Sequence, residues 1–172
     1  ADYLNTEDFM KEGKNGREPA EPMDILLQRL KQYVAAWLEN TDLTTINGRR
    51  SRILQACFDK GQAAQGMYQL TVPTGGGKTI SSLAFALQHA IRHHLQHIIY
   101  VIPYTKIIEQ TAQIFRHILG DINVLEDHCN VSYDSPEELK IKQLAAENWD
   151  RPVVVTTNVQ FFESLFSNRT SK

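Results

Sequence analysis

The sequence predicts an α/β fold with a parallel sheet flanked by helices, and three observations carry that reading. Short apolar, β-branched-leaning runs recur at residues 67–72 (MYQLTV), 97–102 (HIIYVI) and 152–155 (PVVV). Near-continuous runs of this length suit strands buried on both faces. Between them lie stripes at helical spacing, Ile80, Leu83, Ala84, Leu87 and Ile91, then Ile107, Ile108, Thr111, Ile114, Phe115 and Ile118. Strand–helix alternation of this kind implies parallel strands joined by crossover helices. The third observation is a glycine triplet at the junction of the first run and the first stripe, Gly75, Gly76 and Gly77.

Composition bounds the remaining possibilities. The chain has 172 residues, of which 42% are hydrophobic, enough for one domain with a core. Lys+Arg 18 against Asp+Glu 20 leaves a formal net charge of -2, so nucleic-acid binding has to come from a local site. Cys57 and Cys129 lie far apart and outside any CxxC pair, which reads as free thiols in a reducing compartment and excludes a zinc finger. No apolar run approaches the roughly 20 residues of a membrane helix, and no signal-peptide pattern opens the chain. A cytoplasmic location with no membrane partner is therefore expected. The chain begins at Ala1 rather than Met, which suggests a piece of something longer.

Taken in order, residues 11–22 (KEGKNGREPAEP) read as a solvated linker or a long surface loop, rich in charge, Gly and Pro. Met23, Leu26, Leu27, Leu30, Val34, Trp37 and Leu38 then repeat at helical spacing, with Pro22 suited to the first turn. A second amphipathic helix is expected from about Arg49 to Lys60, with Ile53, Leu54, Cys57 and Phe58 apolar and Gly61 as its stop. Beyond the second strand, Ser135, Pro136, Glu137 and Glu138 form a capping box. Val159, Phe162, Leu165 and Phe166 suggest a last short helix. The expected organisation is 1–21 as preceding-domain tail and linker, 22–63 as helical lead-in and 64–172 as the α/β lobe.

The segment Thr71-Val72-Pro73-Thr74-Gly75-Gly76-Gly77-Lys78-Thr79 carries the chemistry. It lies between a predicted strand and an amphipathic helix, the context a phosphate-binding loop requires. Glycines let the backbone curl until successive N–H groups converge on phosphate oxygens. The following helix presents its positive end to the same anion. Lys78 would reach the β- and γ-phosphates of ATP, and the Thr79 hydroxyl would hold Mg. Val72 stands where the general phosphate-loop pattern has glycine.

Two later strand ends carry small hydrogen-bonding groups: Pro103, Tyr104 and Thr105 after one, Thr157 and Asn158 after the other, with Gln160 beyond. In doubly wound sheets, ligands bind at the carboxyl ends of strands. These groups fit contacts to the phosphates of a single nucleic-acid strand. The plainer alternative makes Thr157 or Asn158 a helix cap. Glu126, Asp127, His128 and Cys129 read as a solvated loop rather than a metal cluster, since adjacent positions rarely converge on one ion. His93, His94 and His97 read as surface residues that compensate a helix dipole.

The proline-led PTGGGKT resembles the phosphate loop of superfamily 2 helicases. Together with YVIPYTKIIEQTAQIF, VVVTTNVQFFESLF and the lead-in INGRRSRILQAC, it resembles the first helicase lobe of the type I CRISPR-associated helicase–nuclease family, in its type I-C flavour. The resemblance implies an incomplete RecA-like phosphate-loop NTPase lobe and an ATP-driven helicase moving 3′ to 5′. It also implies an HD nuclease that cuts single-stranded DNA with transition metals, and recruitment by a crRNA-guided surveillance complex in prokaryotic cytoplasm. Carried over by position, Thr74 to Thr79 match the ATP site, and Pro103, Tyr104, Thr105, Thr157 and Asn158 match DNA-contacting motifs. Arg52 and Gln55 lie where helicases place an adenine-side group, and Asp2 resembles a relic of the nuclease metal site. The alternatives are another superfamily 2 DNA or RNA helicase, or a module that binds nucleotide or a partner without turnover.

A helicase of this kind activates water from a strand-borne Asp-Glu pair, and the chain contains no such dipeptide. Glu126-Asp127 is the nearest rival, in reversed order and after a run broken by Asn123. The acidic motif is expected beyond Lys172, together with the second lobe. The 172-residue chain alone is therefore expected not to hydrolyse ATP.

Overall fold

The computed structural model describes residues 19–128 and 149–167. Its elements are α1 (Met23–Leu38), α2 (Ile46–Lys60), α3 (Lys78–Arg92), β1 (Ile98–Val101), α4 (Thr105–Leu119), β2 (Val124–Asp127), β3 (Val153–Thr156) and α5 (Asn158–Ser167). A single 3-10 turn, Asp121–Asn123, joins α4 to β2. The strands form a 3-stranded parallel sheet in the order β1-β3-β2. This is the architecture of an incomplete RecA-like lobe. Asp2, Cys129 and the capping box at Ser135 to Glu138 lie outside the described residues.

The register sorts the side chains onto two faces. Ile98, Val153 and Val124 stand in one row, and Tyr100, Val155 and Glu126 in another row on the same face. This face builds the main core with Leu83, Leu87, Ile108, Ala112 and Phe115 from α3 and α4. Leu26, Leu30 and Val34 of α1 and Leu54 and Phe58 of α2 join the same core, so the lead-in helices pack as part of it. Alternation within each strand puts Ile99, Val154 and Leu125 on the opposite face. There Leu125 and Val154 form a small second cluster under Trp149, and Trp149 stacks on Phe161 of α5.

Several sequence expectations need correction. Burial on both faces holds for the central strand β3, whose residues are all buried, whereas β1 leaves Ile99 39% and Val101 38% exposed. The run 67–72 forms no strand, with Met67 99% exposed. A strand needs a neighbour to accept its N–H groups, and none of the described strands lies beside this run. Conversely, Glu126, Asp127 and His128 do not lie in a solvated loop: Glu126 and Asp127 end β2, behind the buried Val124 and Leu125, and Asp127 and His128 are themselves buried.

Asn123, which breaks the hydrophobic run in the sequence, is fully buried and serves as a staple. Its side chain accepts from the Glu21 N–H at 2.8 Å and donates to the Glu21 carboxylate at 2.7 Å and to the Leu119 carbonyl at 2.8 Å. Arg29 also holds the Glu21 carboxylate, at 2.6 Å. The end of the expected linker is thus pinned to the lobe rather than solvated. Pro22 precedes α1 as its N-cap, not its first turn, and its carbonyl accepts from Ile25 and Leu26. α2 starts at Ile46 because the Thr45 hydroxyl caps it, accepting from the Gly48 N–H at 3.1 Å. Cys57 is a free thiol, and burial raises its pKa. No helix among the described residues is long and apolar enough to cross a membrane.

Candidate functional site

The phosphate loop reaches its position through the helix that it opens. Ser82, in the first turns of α3, accepts a hydrogen bond from the Tyr100 hydroxyl of β1 at 3.3 Å. Tyr100 lies near the carboxyl end of its strand, so the amino end of α3 and the loop before it sit at that edge of the sheet. The turns 103–105 and 157–158 leave the same edge. β1 and β3 are in register from Ile98↔Val153 to Val101↔Thr156, and the Ile102 N–H donates to the Thr156 carbonyl at 2.9 Å. The fold therefore brings all three sequence-selected clusters to one edge.

Each glycine of the loop has its own physical reason. Gly75 and Gly77 have φ of 81° and 83°, left-handed values that strain any residue with a Cβ. Gly76 needs space rather than a special φ: a Cβ there would lie 2.2 Å from Val72 Cγ1 and 3.0 Å from the Pro73 carbonyl oxygen. The Gly76 N–H donates to that carbonyl at 3.0 Å and closes a tight turn. Gly77 is the N-cap of α3, and its carbonyl accepts from the Ser81 N–H at 3.0 Å. The N–H groups of Lys78, Thr79 and Ile80 face out of the helix start with no backbone acceptor among the described residues. Lys78 is exposed and Thr79 half-buried. A curled backbone with free amides, a cation and a hydroxyl at one helix start fits a phosphate chain.

Of the lead-in residues singled out in the sequence, Gln55 donates to Asp59 of its own helix at 2.9 Å, and Arg52 is exposed. The residue that reaches the loop is Arg50, whose Nε–H donates to the Gly75 carbonyl at 2.8 Å. Sequence reasoning missed it. Arg49, Arg50 and Arg52 stand almost side by side, and nothing in their order says which one faces the loop.

At the strand ends, Tyr104 is 66% exposed and Thr105 opens α4. The Thr157 hydroxyl accepts from the Gln160 N–H at 3.1 Å, so Thr157 does cap the last helix. Asn158 is exposed. Behind them, Thr156 Oγ1 is buried and has no hydrogen-bond partner among the described residues. Its register neighbour Asp127 accepts from Trp149 Nε1 at 2.9 Å. Burial raises the Asp127 pKa, and the Trp149 bond and the nearby His128 pull it partly back. Glu126 is bound by Arg116 and His128, each at 2.8 Å. Among the described residues no group of His, Cys, Asp and Glu converges as a metal site. Of the histidines singled out in the sequence, His94 and His97 are exposed, whereas half-buried His93 donates from Nε2 to the Ala63 carbonyl at 2.8 Å, and His89, one turn earlier, donates from Nδ1 to the Gly61 carbonyl at 3.1 Å.

Comparison with known proteins gives this geometry a context. The family described as "Type III restriction enzyme, res subunit" matches residues 27–172. The CRISPR-associated nuclease/helicase Cas3 of Haloferax volcanii is 34% identical, over 58% of this chain and 13% of that protein. The resemblance drawn from the motifs is thus borne out at the level of the family. The chain spans only a small part of that relative's length.

Proposed function

The chain belongs to the family of type III restriction enzyme res subunits, and from that premise we propose that it is the ATP-binding portion of a DNA helicase–nuclease of type I CRISPR defence. Its domain is superfamily 2 helicase-like, and the CRISPR role extends that character from the relative. The observation that carries the proposal is the anion cradle. Glycines at 75 and 77 hold left-handed turns, Gly76 fits under Val72, and the free amides of α3 open beside Lys78. Thr74 to Thr79 hold the triphosphate, with Lys78 on its terminal phosphates and the Thr79 hydroxyl on the accompanying Mg.

Single-stranded DNA crosses the same edge of the sheet. Tyr104 offers an exposed ring for base stacking, and Thr105, Thr157 and Asn158 offer hydroxyl, amide and backbone donors to phosphates. Pro103 fixes the turn that presents them. Nuclease chemistry with a transition metal and docking to a crRNA-guided complex belong to the parent protein. The proposed organisation is a preceding-domain tail and linker at 1–21, a lead-in at 22–63 and the lobe at 64–172.

Calorimetry with ATP and Mg tests the central claim. The chain should bind nucleotide, and Lys78→Ala should abolish binding while the fold persists by circular dichroism. Unchanged affinity in Lys78→Ala would remove the assigned role. Stimulation of the parent's ATPase by RNA and not DNA would redirect the reading to an RNA helicase.

A further inference from the structure

We propose that Arg50 is a positioning residue that sets the orientation of the peptide between Gly75 and Gly76, and through it the readiness of the phosphate loop. This inference rests on the nucleotide-binding reading above and deepens it. A peptide unit flanked by two glycines rotates with little steric resistance, because neither side carries a Cβ. Rotated one way, its carbonyl points out of the anion cradle; rotated the other way, the carbonyl dipole opposes the phosphates.

Here both ends of that peptide are held. Its carbonyl accepts from Arg50 Nε at 2.8 Å, and its N–H, on Gly76, donates to Pro73 at 3.0 Å. Arg50 also lies along the loop: Cβ positions built at Gly75 and Gly77 would each sit 3.9 Å from it, from Nη2 and Cγ respectively. A hydrogen bond from a charged donor is stronger than a neutral one, so this contact can bias a soft glycine hinge.

Arg50 can hold the loop because its own helix is held. α2 buries Leu54, Cys57 and Phe58. At its end Gly61 is packed against α3, where a Cβ would come 2.6 Å from Gln88 Cβ, and its carbonyl takes a hydrogen bond from His89. The loop opens that same α3. Arg50 thus closes a bracket: α2 is fixed to the far end of α3 and reaches back to the loop at its near end.

The test uses two readouts on the wild-type chain, Arg50→Ala and Arg50→Lys. Without nucleotide, amide exchange at Gly76 followed by NMR should speed up about tenfold in Arg50→Ala and return partway in Arg50→Lys. With Mg, ATP affinity by calorimetry should fall about tenfold in Arg50→Ala and recover in part in Arg50→Lys, at an unchanged melting midpoint. Wild-type exchange at Gly76 and wild-type ATP affinity in Arg50→Ala would overturn the proposal. Absence of ATP binding in the wild-type chain would instead strike the nucleotide reading, and the Gly76 exchange would still decide the role of Arg50.

Discussion

The phosphate loop and the strand-end turns share one edge of the sheet, but they are built by opposite means. The turns 103–105 and 157–158 are carried by β1 and β3, locked in register and backed by a buried core. The loop is preceded by a run that joins none of the described strands, and its shape comes from glycine geometry, one tight turn and the reach of Arg50. The difference shows two routes to a functional backbone. One borrows rigidity from a sheet; the other encodes shape locally and borrows only a bracket.

This contrast can be broken first at the shared core. Phe115 is fully buried and packs edge-on to Tyr100 at 4.8 Å between ring centroids. Phe115→Ala should cost about 3–5 kcal/mol, read as a lowered midpoint in chemical denaturation. An effect within experimental error would mean that the helices on this face do not support the sheet.

Next comes the loop itself. Gly76→Ala should weaken ATP binding by about 1–3 kcal/mol, since the new methyl overlaps Val72 Cγ1. Adding Val72→Ala removes that overlap, so the double variant should recover part of the loss by calorimetry. Equal affinities for Gly76→Ala and the wild type would refute the close-approach argument.

On the strand-end side, Tyr104→Ala should lower single-stranded DNA affinity by about 1 kcal/mol in fluorescence anisotropy, as expected for one stacked base. ATP affinity should stay the same. A variant that loses both together would show that the two regions are not separately built.

The smallest effect is expected at Asp127. Burial raises its pKa above the ordinary 3.8, so the folded chain keeps this proton to higher pH than the unfolded chain does. Stability is then lost as pH rises through the window between the two values. Asp127→Asn has no proton to lose and keeps an acceptor for Trp149. Its melting midpoint should gain on the wild type as pH rises from 3.8 upward. A constant difference across pH would contradict the shift.

Much of the fold was legible because its signals are local. The stripe on α3 buries Ile80, Leu83, Ala84 and Leu87 as its spacing requires, and the apolar run at 152–155 became the central strand. Glu126 and Asp127 read as a solvated loop rather than a strand for the opposite reason. The buried Asn123 looks like a break until Glu21, far away in sequence, supplies its partner. The run 67–72 looked like a strand because composition reports apolar character but not the presence of a neighbour. The last helix forms as its pattern suggests, yet Val159 is 62% and Phe162 54% exposed.

The amino-acid sequence by itself determined the helices, two of the strands and the glycine loop with its lysine, because backbone preference and side-chain period act over a few residues. Only the tertiary structure decided that Asn123 is a staple and that Arg50 rather than Arg52 touches the loop. Those outcomes depend on which distant groups become neighbours, and a local pattern carries no information about them.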